Sequence, residues 1–126
     1  MKHTGKANGL HYVVEGSGPW ITLSHALACD HRMWDPQVAP LVAAGYRVLR
    51  FDTRGHGGSE APAGAYTMEQ LADDLFGLLR DLGVKRTHFV GLSLGGMIGQ
   101  VFARRHPGIF ASLVLCDTIC RPAPEA

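Results

Sequence analysis

The chain has 126 residues, 46% of them hydrophobic, and a formal net charge of +1. That length suits a single domain with a real core and leaves no room for a second. Its lysines and arginines are scattered rather than gathered into a basic stripe, which excludes a phosphate-tracking surface and, with it, nucleic acid as the expected partner. In chain order, the Asn8-Gly9 pair is a strong hairpin-turn signal, and it predicts an antiparallel start to a sheet from residues 2 to 7 and 10 to 15. "WITLSH" (20 to 25) reads as a buried strand. Asp35 is placed to cap a helix opening at Pro36 and Gly45 to close it, while Pro40 removes a bond to residue 36 and predicts a short or kinked helix. "YRVLRFD" (46 to 52) is the next strand.

The stretch "TRGHGGSEAPAGAY" (53 to 66) is rich in Gly, Pro and Ala and reads as a loop. Thr67, with Gln70 three residues on, makes a capping box, after which Met68, Leu71, Leu75, Leu78, Leu79 and Leu82 fall on one helical face. Gly83 stops that helix in a left-handed cap, and "RTHFVG" (86 to 91) is a strand that runs straight into Ser93. In "LGGMIGQVFARRHPG", Gly95, Gly99 and Ala103 recur every four residues, so one side of the helix is nearly bare and can lie close against a sheet. "ASLVLCD" (111 to 117) is a last strand and "RPAPEA" an exposed, cleavable loop. There are no internal repeats and no composition break that would mark a linker.

Strands separated by helices predict a doubly wound α/β fold: a mainly parallel sheet with helices on both faces, and a ligand site at the carboxyl ends of the strands. The three cysteines, Cys29, Cys116 and Cys120, have no CxxC spacing, so neither a disulfide framework nor a zinc site is expected. "MKHTGKANG" lacks the apolar run of a secretory signal, and no stretch reaches the roughly 18 apolar residues of a membrane span. A cytoplasmic protein without a membrane partner is expected.

Ser93 carries the chemistry. "GLSLG" (91 to 95) matches G-x-S-x-G, the nucleophile elbow, in which a strand turns so sharply into a helix that the serine oxygen is exposed above the sheet. Gly91 and Gly95 are needed because a Cβ at either place would collide with the neighbouring strand or helix. The new helix aims its first free N–H groups, that of Leu94 above all, at whatever lies beside the hydroxyl, which is half of an oxyanion hole. The plainer reading, an ordinary serine in a glycine-rich turn, is outweighed by the strand before it and the helix after it.

On these residues the chain resembles the amino-terminal half of an α/β-hydrolase domain, and within that superfamily it is most similar to the 3-oxoadipate enol-lactonases and their relatives. The stretches that carry the resemblance are "SHALACDHRMWDPQV" (24 to 38), "RVLRFDTRGHGGSEAP" (47 to 62), "YTMEQLADDL" (66 to 75), "HFVGLSLGGMIGQ" (88 to 100) and "LVLCDT" (113 to 118). The resemblance implies a second oxyanion donor. His25-Ala26 stands at the family's His-Gly pair, departing from it at Ala26, and Leu27 takes the donor position. It also implies that His25 shapes this loop rather than serving as base. His56, with Asp52, Arg54 and Ser59, resembles a scaffold turn; His88 falls within a strand, His106 at a helix end, and His3, His11 and His31 belong to no motif.

The family order is serine, acid, histidine, with the histidine after the last strand, so the triad histidine is not expected in this chain. Asp117 stands where some hydrolases carry the acid; in most enol-lactonase-like proteins the acid follows the next strand, so a polar loop residue outweighs it. The resemblance implies residues 1–126 as strands one to six of the domain, without its last strands, cap and histidine loop. The expected partner is then the carboxyl-terminal half, as a cleaved or companion chain. The implied activity is acyl transfer on a small ester or lactone, foremost 3-oxoadipate enol-lactone hydrolysis, with no metal and no organic cofactor. Carboxylesterases, carbon–carbon bond hydrolases and cofactor-free haloperoxidases share the serine, while dehalogenases of this fold carry an aspartate there. A non-catalytic binding protein or inactive fragment on the same scaffold is the alternative of another class.

Overall fold

Asn8 and Gly9 both adopt left-handed backbone, with φ of 52 and 76°, and fold β1 (Lys2–Ala7) back onto β2 (Leu10–Gly16). This is the two-residue hairpin the sequence predicts. The computed structural model describes residues 2–61, 64 and 66–117. Beyond the hairpin come β3 (Trp20–Ser24), β4 (Arg47–Phe51), β5 (Thr87–Leu92) and β6 (Phe110–Cys116). The six strands make one sheet in the order β1-β2-β4-β3-β5-β6, in which β4, β3, β5 and β6 run parallel and β2 pairs antiparallel with β4. The predicted "RPAPEA" loop lies outside the described residues.

Side chains of β4 alternate between two cores, as strand geometry requires. Val48 faces one side with Ile21, Leu23, Trp34 and Val38, covered by α1 (Asp35–Ala43). Leu49 and Phe51 face the other with Phe89, beneath α2 (Met68–Asp81) and α3 (Leu94–Arg105). Helices thus lie on both faces of the sheet.

The α2 helix begins as predicted: Gln70 N–H donates to the Thr67 hydroxyl and the Gln70 side chain accepts from Thr67 N–H. Leu71, Leu75, Leu78 and Leu79 are buried, with Met68 and Leu82 half-buried at the ends. Gly83, at φ 72°, closes it. The start of α1 corrects one expectation. Asp35 is already inside the helix and makes no cap; its carboxylate accepts from Arg50 of β4 instead. The capping carboxylate is Asp30, which accepts from Arg32 N–H at 2.9 Å and opens a 3-10 turn over His31–Trp34 that leads directly into α1. Pro40 lies within the nine-residue helix, which is short as expected, and Gly45 follows its end at φ 96°. No helix among the described residues is long and apolar enough to cross a membrane.

Candidate active site

A single residue, Ser93, separates β5 from α3, and it takes φ 53° and ψ −109°. A non-glycine residue in such backbone costs on the order of 1–3 kcal/mol, so the surroundings must enforce it. They do so from both sides: Ser93 N–H donates to the Cys116 carbonyl at 2.9 Å, and its own carbonyl accepts from Met97 N–H at 3.0 Å. The residue is exposed and its side chain does not cap the helix. A Cβ on Gly91 would stand 2.4 Å from the Gly95 carbonyl, and one on Gly95 would stand 2.3 Å from the Ser24 oxygen. The bend is therefore possible only because both positions are glycine. Leu94 is the first helical residue, so its N–H has no partner within the helix.

The loop after β3 leaves the sheet beside this bend, since Ser24 is in register with Gly91. His25 is fully buried there. Its Nε2 accepts from Thr53 N–H at 3.0 Å, so in the neutral ring Nδ1 carries the proton and donates to the Ala26 carbonyl at 2.8 Å. Burial lowers its pKa below the ordinary 6.5, against the opposing pull of the Ala26 carbonyl. With both nitrogens engaged inside the protein, His25 has the structural geometry the sequence suggests. The Ala26 carbonyl also accepts from Cys29 N–H at 3.1 Å, closing a turn in which Ala28 takes φ 62°. Leu27, at the outer side of this turn, is 68% exposed.

Asp52, just past β4, is fully buried and anchors the next loop. One oxygen accepts from His31 N–H at 2.7 Å and from the His31 ring at 2.9 Å; the other accepts from the His11 ring and Gly58 N–H, each at 3.0 Å. Burial alone would raise its pKa, and the donors from Gly58 and His31 more than reverse that, leaving it lowered. The ligating atoms of His11, His31 and Asp52 lie within 4.8 Å of one another, the spacing of a metal site. Both Nδ1 atoms already point at the carboxylate, so the hydrogen bonds account for the cluster. His11 and His31 are the residues that motif reading missed, because their partner is distant in sequence. Ser59 ties the turn as predicted, donating its hydroxyl to the Asp52 carbonyl, but Arg54 reaches out of the loop and grips Asp74 of α2 at 2.8 and 2.7 Å.

Beside these two loops lies an open cavity of about 670 Å³ lined by residues that include Cys29, Arg32, Met33 and His56, with Ser93 not among them. Asp117 follows β6 at φ 46° and is exposed. Cys116 is in register with Leu92, so Asp117 leaves the sheet at the same end as Ser93. Ser93, Leu94, Leu27 and Asp117 are thus all at the carboxyl ends of the parallel strands, where such sheets bind ligands.

A strand-to-helix serine bend on a sheet of this order defines a class, and comparison with known proteins agrees. A family model described as the alpha/beta hydrolase fold matches residues 19–126, and the chain belongs to that family. It is similar to 3-oxoadipate enol-lactonase 1 of Acinetobacter baylyi, 42% identical over 105 residues, which is 83% of this chain and 39% of that protein. It is 41% identical over 115 residues to a fluoroacetate dehalogenase of a Burkholderia species, covering 87% of this chain and 38% of the other. The crystal structure of the enol-lactonase from Burkholderia xenovorans LB400 superposes with a TM-score of 0.87 at 47% identity, over 94% of this chain and 48% of that one. The chain therefore spans less than half the length of these relatives.

Proposed function

We propose that this chain supplies the nucleophile and both oxyanion donors of a serine hydrolase that works by acyl transfer, its substrate the enol-lactone of 3-oxoadipate or a similar small lactone or carboxylic ester. The observation that carries the reading is Ser93 itself: an exposed serine at φ 53° and ψ −109°, at the amino end of a helix, between two glycines that no other residue could replace. The Ser93 oxygen attacks the carbonyl carbon while a histidine takes its proton. The resulting oxyanion rests on the N–H groups of Leu27 and Leu94, the histidine returns the proton to the leaving oxygen, and water then releases the acyl group. An enol leaving group collapses to a ketone, which makes ring opening effectively one-way. Loss of either donor is expected to slow acyl transfer by about a hundred- to a thousand-fold.

Histidine and acid are assigned to the carboxyl-terminal half of the hydrolase, the expected partner, with Asp117 the lesser candidate for the acid. The similarity to a named enol-lactonase in both sequence and structure supports the substrate class. The dehalogenase relative points elsewhere by its name, but the resemblance drawn from the sequence implies an aspartate at the elbow of dehalogenases of this fold, where this chain has Ser93. A fluorophosphonate probe, applied to the full-length polypeptide, is expected to modify Ser93 and to leave Ser93→Ala unmodified, as read by peptide mass spectrometry. An intact, folded protein that stays unlabelled would favour a non-catalytic binding role and sink the proposal.

A further inference from the structure

The peptide joining Ala26 to Leu27 has its carbonyl held from two directions, by Cys29 N–H at 3.1 Å and by the His25 ring at 2.8 Å. A trans peptide is planar, so its N–H points opposite to its C=O. Whatever draws the Ala26 oxygen toward the buried His25 ring therefore turns the Leu27 N–H away from the core. The ring can do this in one state only. Thr53 N–H occupies Nε2 at 3.0 Å, and the Thr53 hydroxyl lies 3.2 Å from the same nitrogen. A proton on Nε2 would face that N–H, donor against donor, and would strip Nδ1 of its own proton in the neutral ring.

We infer that His25 is a positioning residue for the oxyanion hole: Thr53 N–H locks its ring as the Nδ1–H tautomer, the ring pins the Ala26 carbonyl, and the Leu27 N–H is thereby aimed outward for the developing negative charge. This rests on the reading of Leu27 as a donor given above. It assigns the loop after β4 a part in the chemistry through the backbone N–H of Thr53. The backbone of Thr53 sets the tautomer of a residue 28 positions earlier, and that tautomer sets the direction of one N–H.

Two side chains separate the ring's two functions. Asparagine places an amide N–H where Nδ1 stands and can still hold the Ala26 carbonyl. Glutamine reaches the Nε2 position and can satisfy Thr53 but leaves that carbonyl to the turn alone. The test uses the full-length polypeptide and follows fluorophosphonate modification of Ser93, whose transition state places a phosphoryl oxygen in the same hole. His25→Asn is expected to keep the saturating rate within about threefold, and His25→Gln to lower it by about tenfold or more with little change in the half-saturating probe concentration. Nitrogen-15 spectra of the wild-type ring are expected to show Nδ1 protonated and Nε2 bare near neutral pH, a readout that needs no variant to fold. An Nε2–H ring or an imidazolium would overturn the proposal. So would equal rates in wild type and folded His25→Gln, or an asparagine variant as slow as the glutamine one. Wild-type protein that is never labelled at Ser93 would remove the parent reading and this proposal with it, whereas normal labelling indifferent to His25 removes this proposal alone.

Discussion

At Gly95 there is no room for a methyl group, because the atom it would strike, the Ser24 carbonyl oxygen 2.3 Å away, belongs to the backbone of a central strand and cannot turn aside. At Gly99, one turn on, the nearest atoms are side-chain carbons of Phe89 and Leu113, which have some freedom to yield. Gly95→Ala is accordingly expected to cost about 3 kcal/mol and Gly99→Ala distinctly less, measured by urea unfolding; equal costs would contradict the close approach of α3 to β3. His25 supports a second prediction. Its pKa is lowered by burial, so between the ordinary 6.5 and the folded value the unfolded chain binds a proton that the native one does not. The stability it lends is complete above pH 6.5 and is lost as pH falls through the folded pKa. His25→Asn should flatten the fall in melting temperature between pH 7 and 5, and an unchanged slope would show that the ring is not buried neutral. The serine and its flanking glycines were legible in five consecutive residues. The donors to Asp52 were not: His11 lies 41 positions from it and His31 lies 21, and no local pattern joins them.

Among the elements, those whose signals lie within one turn of the chain are where the sequence places them. The capping box at Thr67 closes on itself over three residues, and the structure shows both of its bonds. Thr67→Ala should lower stability by about 1 kcal/mol in urea unfolding, and a change near zero would mean that tertiary packing alone holds the start of α2. Asp35 shows the opposite case. Its type and place before Pro36 suit a cap, yet Arg50, brought alongside by the sheet and itself nearly buried, recruits the carboxylate, while Asp30 one turn earlier does the capping. A buried guanidinium needs its anion more than a helix end needs a particular cap.

Across the whole molecule, the strand order carries the site. Crossing from β4 back to β3, and on to β5 and β6, brings the loops after all four parallel strands to one end of the sheet. The outer strand of that run, β6, pairs only with β5 among the described strands and exposes Val114 at 48% and Leu115 at 40%. An apolar, unpaired edge templates association. Residues 1–126 produced by themselves are therefore expected to dimerise or aggregate in gel filtration, and a stable soluble monomer would count against a missing neighbour on that edge.

What the sequence determined by itself was encoded over a few residues: the hairpin at Asn8-Gly9, the apolar stripe and caps of α2, the bare side of α3 and the glycine-flanked bend at Ser93. Each depends on backbone preferences or a fixed period that neighbouring residues make legible, although holding Ser93 in its strained backbone takes the Cys116 carbonyl of β6 as well. Only the tertiary structure decided which carboxylate met which base, that Asp52 would be held between His11 and His31, and that Thr53 would fix the ring of His25. Such pairings form when the assembled sheet brings distant segments within a hydrogen bond's reach, and a buried polar group then takes the nearest partner the fold presents.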